Sequence, residues 1–421
     1  MTKRLIFHID VNSAFLSWTA TYRVRVLGES LDLRDVPSVI GGDRESRKGV
    51  VLAKSMPAKQ YGIKTGEPIG IALEKCPQLI IAKADYGLYV DASRKFVSLL
   101  REISPCVEQY SIDEAWVDMT GTAHLYGTPL AAAELIRRRV RDELGFTINI
   151  GISTNKLLAK MAGDFEKPDK IHTLFPDEIP QKMWPLPIRE LFLVGRATEQ
   201  KLQRMGIYTI GDLAHSDPDM LLRRLHKPGM VLWHFANGRC SEQLMAIPEA
   251  NKGYGNSTTT AEDITDLAAG FQVLLSLCET VGMRMRRDGK KGACVTVHVR
   301  SNAFVNISHQ RKLESMTDVT EEIYRAACLL FEELWDGETP LRQIGVQVTQ
   351  IGEDCGRQFS LFEPEYGERY DRLSKIDNVM DSLRDKYGET AIFRARFTKQ
   401  KEEQMAGGLS KYRRTGITKP T

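Results

Sequence analysis

Apolar residues recur along the chain in two rhythms. Short runs of β-branched and aromatic residues, bounded by turn residues, predict strands at 5–9, 36–40, 49–53, 79–82 and 146–151. Longer stretches repeat their apolar residues at three- and four-residue intervals and predict helices. In 86–103 the inner side would carry Tyr89, Phe96 and Leu100; in 129–144 it would carry Leu130, Ala133, Ile136 and Val140. Strand, helix, hairpin, helix, strand is an α+β order, with helices on one face of a mostly antiparallel sheet. Residues 176–245 are helical and punctuated by proline, and 257–350 run strand, helix, strand, strand, helix, strand. A last helix carries Tyr370, Leu373, Ile376, Met380, Leu383 and Tyr387 at helical spacing, and the polar residues 399–421 predict a disordered tail.

Two acids interrupt this pattern. Gln109-Tyr110-Ser111-Ile112-Asp113-Glu114-Ala115-Trp116-Val117-Asp118 reads as a strand pair with adjacent carboxylates in its middle. Neighbouring side chains leave a flat strand on opposite faces, so both serve one site only where the chain bends, as at a hairpin tip. Taken alone, Asp113 and Glu114 are most simply a solvated turn. A third acid changes that. The first strand ends on Asp10, directly before Asn12 and Ser13, which are candidate caps of the helix that follows. Carboxylates that share an apolar setting repel one another unless a cation joins them, and hard divalent ions take oxygen ligands. A strand ending on an acid beside a helix N-terminus suits a cation and a phosphate together.

Composition narrows the classes. A chain of 421 residues suggests several domains, and 42% hydrophobic content suffices for their cores. A net charge of +3 permits a nucleic-acid partner without requiring one. Seven cysteines are scattered with no Cys-x-x-Cys pair, which argues against a zinc site or a disulfide framework. No run approaches the ~18 apolar residues of a membrane span, and the first strand is too short for a signal peptide. The expectation is a cytoplasmic protein. Around Gly195 and Gly206, glycine turns flank short helices in a helix-hairpin-helix pattern, where Gly195 and Arg196 would meet a DNA phosphate through backbone N–H groups. Acids outnumber bases in 257–350, so DNA contact there would be local, through Thr258, Thr259, Arg300 and Arg311.

Together, Asp10 with its helix, the run Tyr110-Ser111-Ile112-Asp113-Glu114-Ala115, the run Gly151-Ile152-Ser153-Thr154-Asn155-Lys156-Leu157-Leu158-Ala159-Lys160-Met161-Ala162 and the Gly195 hairpin resemble the Y-family translesion DNA polymerases, in the bacterial branch of DNA polymerase IV and the polymerase V catalytic subunit. The resemblance covers about residues 3–395. It implies an α+β multidomain right hand: palm (1–20 and 76–175), small fingers (21–75), helix-hairpin-helix thumb (176–245), linker (246–256), α/β little finger (257–350) and a C-terminal segment (351–421). It implies a monomeric, template-directed DNA polymerase of low fidelity, acting on primer–template DNA with dNTPs in DNA repair and the SOS response, in the cytoplasm with the nucleoid. By similarity, Asp10, Asp113 and Glu114, helped by the Val11 carbonyl, hold two Mg²⁺ ions. Ser13 and Ala14 lend backbone N–H groups to the phosphates, Phe15 is a steric gate against a 2′-hydroxyl, and Lys59 and Lys156 reach the nucleotide.

The chain departs from the family where the fingers usually present Tyr and Arg three residues apart; here they are Met56 and Lys59, and lysine lacks the arginine fork. Arg44, Arg47 and Lys54 are candidates to compensate. Gln358-Phe359-Ser360-Leu361-Phe362 resembles the peptide that binds the bacterial sliding clamp (β subunit), with Phe359 in place of leucine. Two other readings stay open on these residues. A palm-fold nucleotidyl cyclase uses similar carboxylates but needs no helix-hairpin-helix. A DNA-binding regulator with an inactive palm predicts the loss of an acid.

Overall fold

The first strand, β1 (Ile6–Val11), is buried at every position, as a strand with neighbours on both sides must be. This computed structural model describes residues 4–42, 49–241, 243–245, 251–352, 364–388 and 391–397. They form two units, one from residues 4–41 and 51–245 and one from 251 onward.

In the first unit the chain continues from β1 through α1 (Ala14–Arg25), β2 (Ser38–Gly41), β3 (Val51–Lys54), α2 (Met56–Gln60), α3 (Ile69–Lys75), β4 (Ile80–Lys83), α4 (Tyr86–Ile103), β5 (Val107–Gln109), β6 (Glu114–Asp118), α5 (Pro129–Arg139), β7 (Ile148–Ser153), α6 (Lys156–Asp164) and β8 (Ile171–Thr173). The large sheet runs β5-β6-β1-β7-β8, with β6 and β7 antiparallel to β1 and β8 parallel to β7. Alternation sorts the side chains of β1. Phe7, Ile9 and Val11 join a core with Trp18 of α1, Phe96 of α4 and Ile136 of α5, whereas Ile6 packs with Trp116 and Ala159 of α6. Helices therefore cover both faces of the sheet, not one as the chain order suggested. The reason is α6, whose residues from Lys156 to Gly163 are all buried. Leu157, Leu158 and Met161 feed a neighbouring helical core while the other side of α6 lies on the sheet. Glycine permits that approach: a Cβ at Gly151 would stand 1.9 Å from the Ala159 carbonyl oxygen.

A second, small sheet runs β3-β2-β4. β4 pairs in parallel with β2, from Ser38↔Ile80 to Gly41↔Lys83. This sheet thus extends past residue 75, where the sequence suggested a return to the large-sheet domain. The chain then enters α7 (Ile179–Lys182), α8 (Arg196–Gln203), α9 (Ile210–Ala214) and α10 (Pro218–Ala236), which close over Leu202, Ile210, Leu213 and Leu232. α10 breaks at His226 (φ 56°), two residues before Pro228.

The second unit comprises β9 (Gly253–Ile264), α11 (Leu267–Arg287), β10 (Lys291–Ser301), β11 (Asn306–Thr317), α12 (Thr320–Leu334), β12 (Leu341–Gly352) and α13 (Pro364–Tyr387). Its antiparallel sheet runs β11-β10-β12-β9. Val295, Val297, Val299, Ile344, Val346 and Val348 share one core with α11 and α12. α13 departs from its apolar spacing. It exposes Ile376, Val379 and Tyr387 and buries Asp377, Met380 and Arg384. Ions dock it: Arg286 meets Asp381 at 2.6 Å and Asp377 at 3.2 Å, Arg394 meets Asp377 at 2.7 Å, and Arg384 and Arg394 meet Glu279 at 3.3 and 2.9 Å. Among the described residues no helix is long and apolar enough to cross a membrane.

Candidate active site

Asp10 stands directly across from Glu114 on β6 and from Asn149 on β7. Cross-strand partners share a face, so these three side chains form a row on the α6 side of the sheet. Asp113 occupies the turn between β5 and β6, and its carbonyl accepts the Val11 N–H at 3.0 Å. Ser111 shapes that turn: its hydroxyl donates to Asp113 Oδ1 at 2.6 Å and accepts the Glu114 N–H at 3.1 Å. A cleft of ≈ 300 Å³ opens here. Asp10, Val11 and Asp113 line it from the sheet, Ser13, Ala14 and Phe15 from the start of α1, and Leu52, Ala53, Lys54 and Thr65 from the small sheet and the loop beyond it.

The carboxylates are short of water. Burial pushes the Asp10 carboxyl above its ordinary pKa, although Lys167, in contact with Oδ2, pulls the other way. Burial likewise raises Asp113, opposed by the Ser111 hydrogen bond and reinforced by the charge of Asp10. Two lysines supply positive charge. Burial works against the Lys167 ammonium, yet Asp10 and Asp164 together hold its pKa above the ordinary value. Lys160 donates to Glu114 Oε1 at 2.9 Å, with its ammonium 5.7 Å from the Tyr110 ring and 5.5 Å from that of Phe192. Lys167 thus meets both Asp10 and Asp164 while Lys160 meets Glu114, and no three His, Cys, Asp or Glu side chains among the described residues converge at metal-ligand spacing. The donor set still fits a hard cation such as Mg²⁺: oxygen ligands, with Asp10 buried and Asp113 and Glu114 half-buried, already drawing positive charge.

α1 begins beside these acids. Ser13 takes a left-handed conformation (φ 48°, ψ 49°), and no side chain caps the helix. Asn12 turns toward β7, its amide 3.2 Å from Thr147 Oγ1, so neither candidate cap blocks the helix N-terminus. Phe15, in the first turn, is half-buried, with its ring stacked on Tyr89.

Other expected residues lie elsewhere. Lys156 does not line the cleft; its ammonium sits 2.8 and 3.0 Å from the Glu108 carboxylate oxygens and 4.4 Å from the Trp116 ring centroid. One helical turn further on, Lys160 is the lysine that reaches an acid of the row. Lys59 is exposed on α2 and outside the cleft lining, where Lys54 stands, donating to the Ile63 carbonyl at 2.6 Å. Arg44, Arg47 and the peptide 358–362 (Gln358, Phe359, Ser360, Leu361, Phe362) lie outside the described residues. Gly195 is the uncapped N-cap of α8, ahead of Arg196, and the positive φ of this turn belongs to Leu193 (71°). In the second unit Arg300 lies opposite Gln343 and Asn306, on the sheet face away from the helices, and donates to Asn306 Oδ1 at 2.6 Å. Arg311 lies opposite Val295, on the helix side, and pairs with Glu333. The two arginines thus occupy opposite faces and do not form one patch. Thr259 joins the Arg300 face through Gln343, whereas Thr258 pairs with the inward Ile344.

Sequence reasoning passed over Lys167, Lys160 and Thr65.

Residues 9–164 match the impB/mucB/samB family, 251–361 match that family's C-terminal domain and 176–207 match the IMS family HHH motif. The chain is 42% identical over 400 residues to DNA polymerase IV of Clostridium acetobutylicum, spanning 95% of this chain and 100% of that protein. It is 36% identical over 403 residues to DNA polymerase IV 2 of Bacillus subtilis, spanning 94% of this chain and 95% of the relative. Among solved structures it is similar to a Y-family DNA polymerase chimera, Dbh-Dpo4(243-245)-Dbh, with a TM-score of 0.70 over 83% of this chain and 99% of that one. At 21% identity that last likeness speaks to the fold: a right hand of palm, fingers, thumb and little finger.

Proposed function

Because the chain belongs to the impB/mucB/samB family of Y-family DNA polymerases, and is a DNA-directed DNA polymerase of the translesion class, we propose that the cleft over Asp10 and Asp113 joins a deoxynucleoside triphosphate to a primer end. One observation carries this reading: acids from two distant places in the chain share a cleft with an uncapped helix N-terminus and an aromatic ring. Asp10, Asp113 and Glu114, with the Val11 carbonyl, would hold two Mg²⁺ ions. Bound there, such ions supply Lewis acidity to the attacking and leaving oxygens of a phosphoryl transfer.

The chain's own groups do the rest. The backbone N–H groups of Ser13 and Ala14, at the positive end of α1, bind the triphosphate. Lys167 and Lys54 add positive charge beside it, while Lys160 orients the Glu114 carboxylate. Phe15 presents its ring to the sugar and excludes a 2′-hydroxyl. The large sheet with α1 and α4–α6 acts as palm, the small sheet with α2 and α3 as fingers, α7–α10 as thumb, and the second unit as little finger. Primer–template DNA is gripped without sequence reading, by the Gly195–Arg196 helix start and by the Arg300 face of the second unit's sheet. The peptide 358–362 docks the sliding clamp, and the enzyme works as a monomer at the nucleoid.

Primer extension with dNTPs and Mg²⁺, on undamaged and abasic templates, tests this. Extension across both that is abolished by Asp113→Ala is expected. An unextended primer with a cyclic nucleotide product would overturn the reading.

A further inference from the structure

Phe15 lies parallel to the ring of Tyr89, with centroids 4.4 Å apart and planes 9° from coincidence. Tyr86 meets both rings edge-on, at 6.2 Å from Phe15 and 5.7 Å from Tyr89. Tyr89 itself is fully buried on α4 and does not line the cleft. Its hydroxyl lies 3.2 Å from Thr19 Oγ1, and that same hydroxyl of Thr19 donates to the Phe15 carbonyl at 2.7 Å. The contacts close a circuit: Phe15 backbone, Thr19 hydroxyl, Tyr89 hydroxyl, Tyr89 ring, Phe15 ring.

We propose that Tyr89 is a positioning residue for sugar discrimination: by backing the Phe15 ring and being anchored through Thr19, it keeps Phe15 from yielding to a ribonucleotide. The inference rests on the reading of Phe15 as the gate. A ring that excludes one hydroxyl group works only if it cannot swing aside. An aromatic side chain on a helix has two usable χ1 settings, and an offset or parallel partner ring adds a preference for one of them. Trp18, at 6.1 Å from Phe15 and 5.9 Å from Tyr89, closes another side. Because Tyr89 reaches the cleft only through Phe15, its influence on sugar choice must pass through that ring.

The test is kcat/KM for a dNTP and for the matching rNTP, in the full-length wild type and in Phe15→Ala, Tyr89→Leu, Tyr89→Phe and Thr19→Val. Tyr89→Leu is expected to narrow the dNTP preference by about fivefold, the fold-change equivalent of one aromatic pair, chiefly by raising kcat/KM for the rNTP. Tyr89→Phe keeps the stack and most of the preference. Thr19→Val removes only the anchor and narrows the preference about twofold, within the span of one modest hydrogen bond. In a Phe15→Ala background Tyr89→Leu changes the ratio no further. Equal loss for both nucleotides in Tyr89→Leu, or an unchanged ratio, overturns the proposal. If Tyr89→Leu does not fold, an unchanged ratio in Thr19→Val overturns it. Phe15→Ala that still rejects ribonucleotides would instead remove the gate reading itself.

Discussion

An alanine at Gly151 would carry its Cβ to 1.9 Å from the Ala159 carbonyl oxygen and 2.4 Å from the Gly163 backbone nitrogen. Both are backbone atoms of α6, which no change of rotamer can move. The helix must therefore withdraw by about 1.5 Å to restore an ordinary 3.4 Å contact. Overpacking of this kind costs ~1–3 kcal/mol or more, which for a unit of this size lowers the melting temperature by about 3–10 °C. The chemical effect should be larger. Lys160 rides on α6, and its 2.9 Å bond to Glu114 does not survive such a withdrawal. A misplacement of ~1 Å can lower turnover about 10²-fold. Thermal melting together with single-nucleotide primer extension measures both. Gly163→Ala is the internal comparison: its Cβ would meet His8 Nδ1 at 3.3 Å and the Gly151 nitrogen at 3.5 Å, contacts that need only a small adjustment. Gly151→Ala enzyme with wild-type melting and wild-type extension would refute the idea that the approach of α6 sets the site.

Lys167→Met removes the ammonium that meets Asp10 and should lower kcat/KM about 10- to 100-fold, the range for a charge-assisted hydrogen bond; a loss under threefold in steady-state extension contradicts this. At the start of α9, the Thr209 and Tyr208 N–H groups hold the Asp212 carboxyl below its ordinary range. Its contribution is present above the unfolded carboxylate pKa and disappears as pH falls through the depressed value, so Asp212→Asn should flatten the fall of melting temperature below about pH 4. Asp377→Ala removes one of the two carboxylates that each of Arg286 and Arg394 meets, leaving Asp381 and Glu279 in place, and should destabilise the second unit by ~1.5–3 kcal/mol in urea titrations; a change below ~1 kcal/mol would show Asp377 to be dispensable to the network.

Why the acids were legible and their lysines were not is a matter of what a linear pattern contains. Asp10, Asp113 and Glu114 stand out because each breaks an apolar run, and a charge inside a strand needs a reason. Lys156 and Lys160 are one turn apart on the same helix, so composition could not choose between them; the choice depends on where α6 sits, and that depends on the missing Cβ of Gly151. β4 carries no mark of its partner, since parallel pairing leaves no turn to read. Arg300 and Arg311 lie on strands joined by a hairpin, and the register of that hairpin alone sends them to opposite faces. In α13 the apolar spacing caught Met380 but missed Asp377 and Arg384, because part of the buried contact is made of paired charges, which periodicity counts as exposed.

Lys160 and Lys167 also bear on what happens between catalytic cycles. Each already meets one acid of the row from within the polypeptide, Lys167 at Asp10 and Lys160 at Glu114, so keeping these two charges in the folded chain does not depend on an external counter-ion. Treatment with a chelator should silence synthesis and leave the melting curve nearly where it was, and restored cation should revive the same molecules without refolding. The folded enzyme can thus stay assembled without its cation.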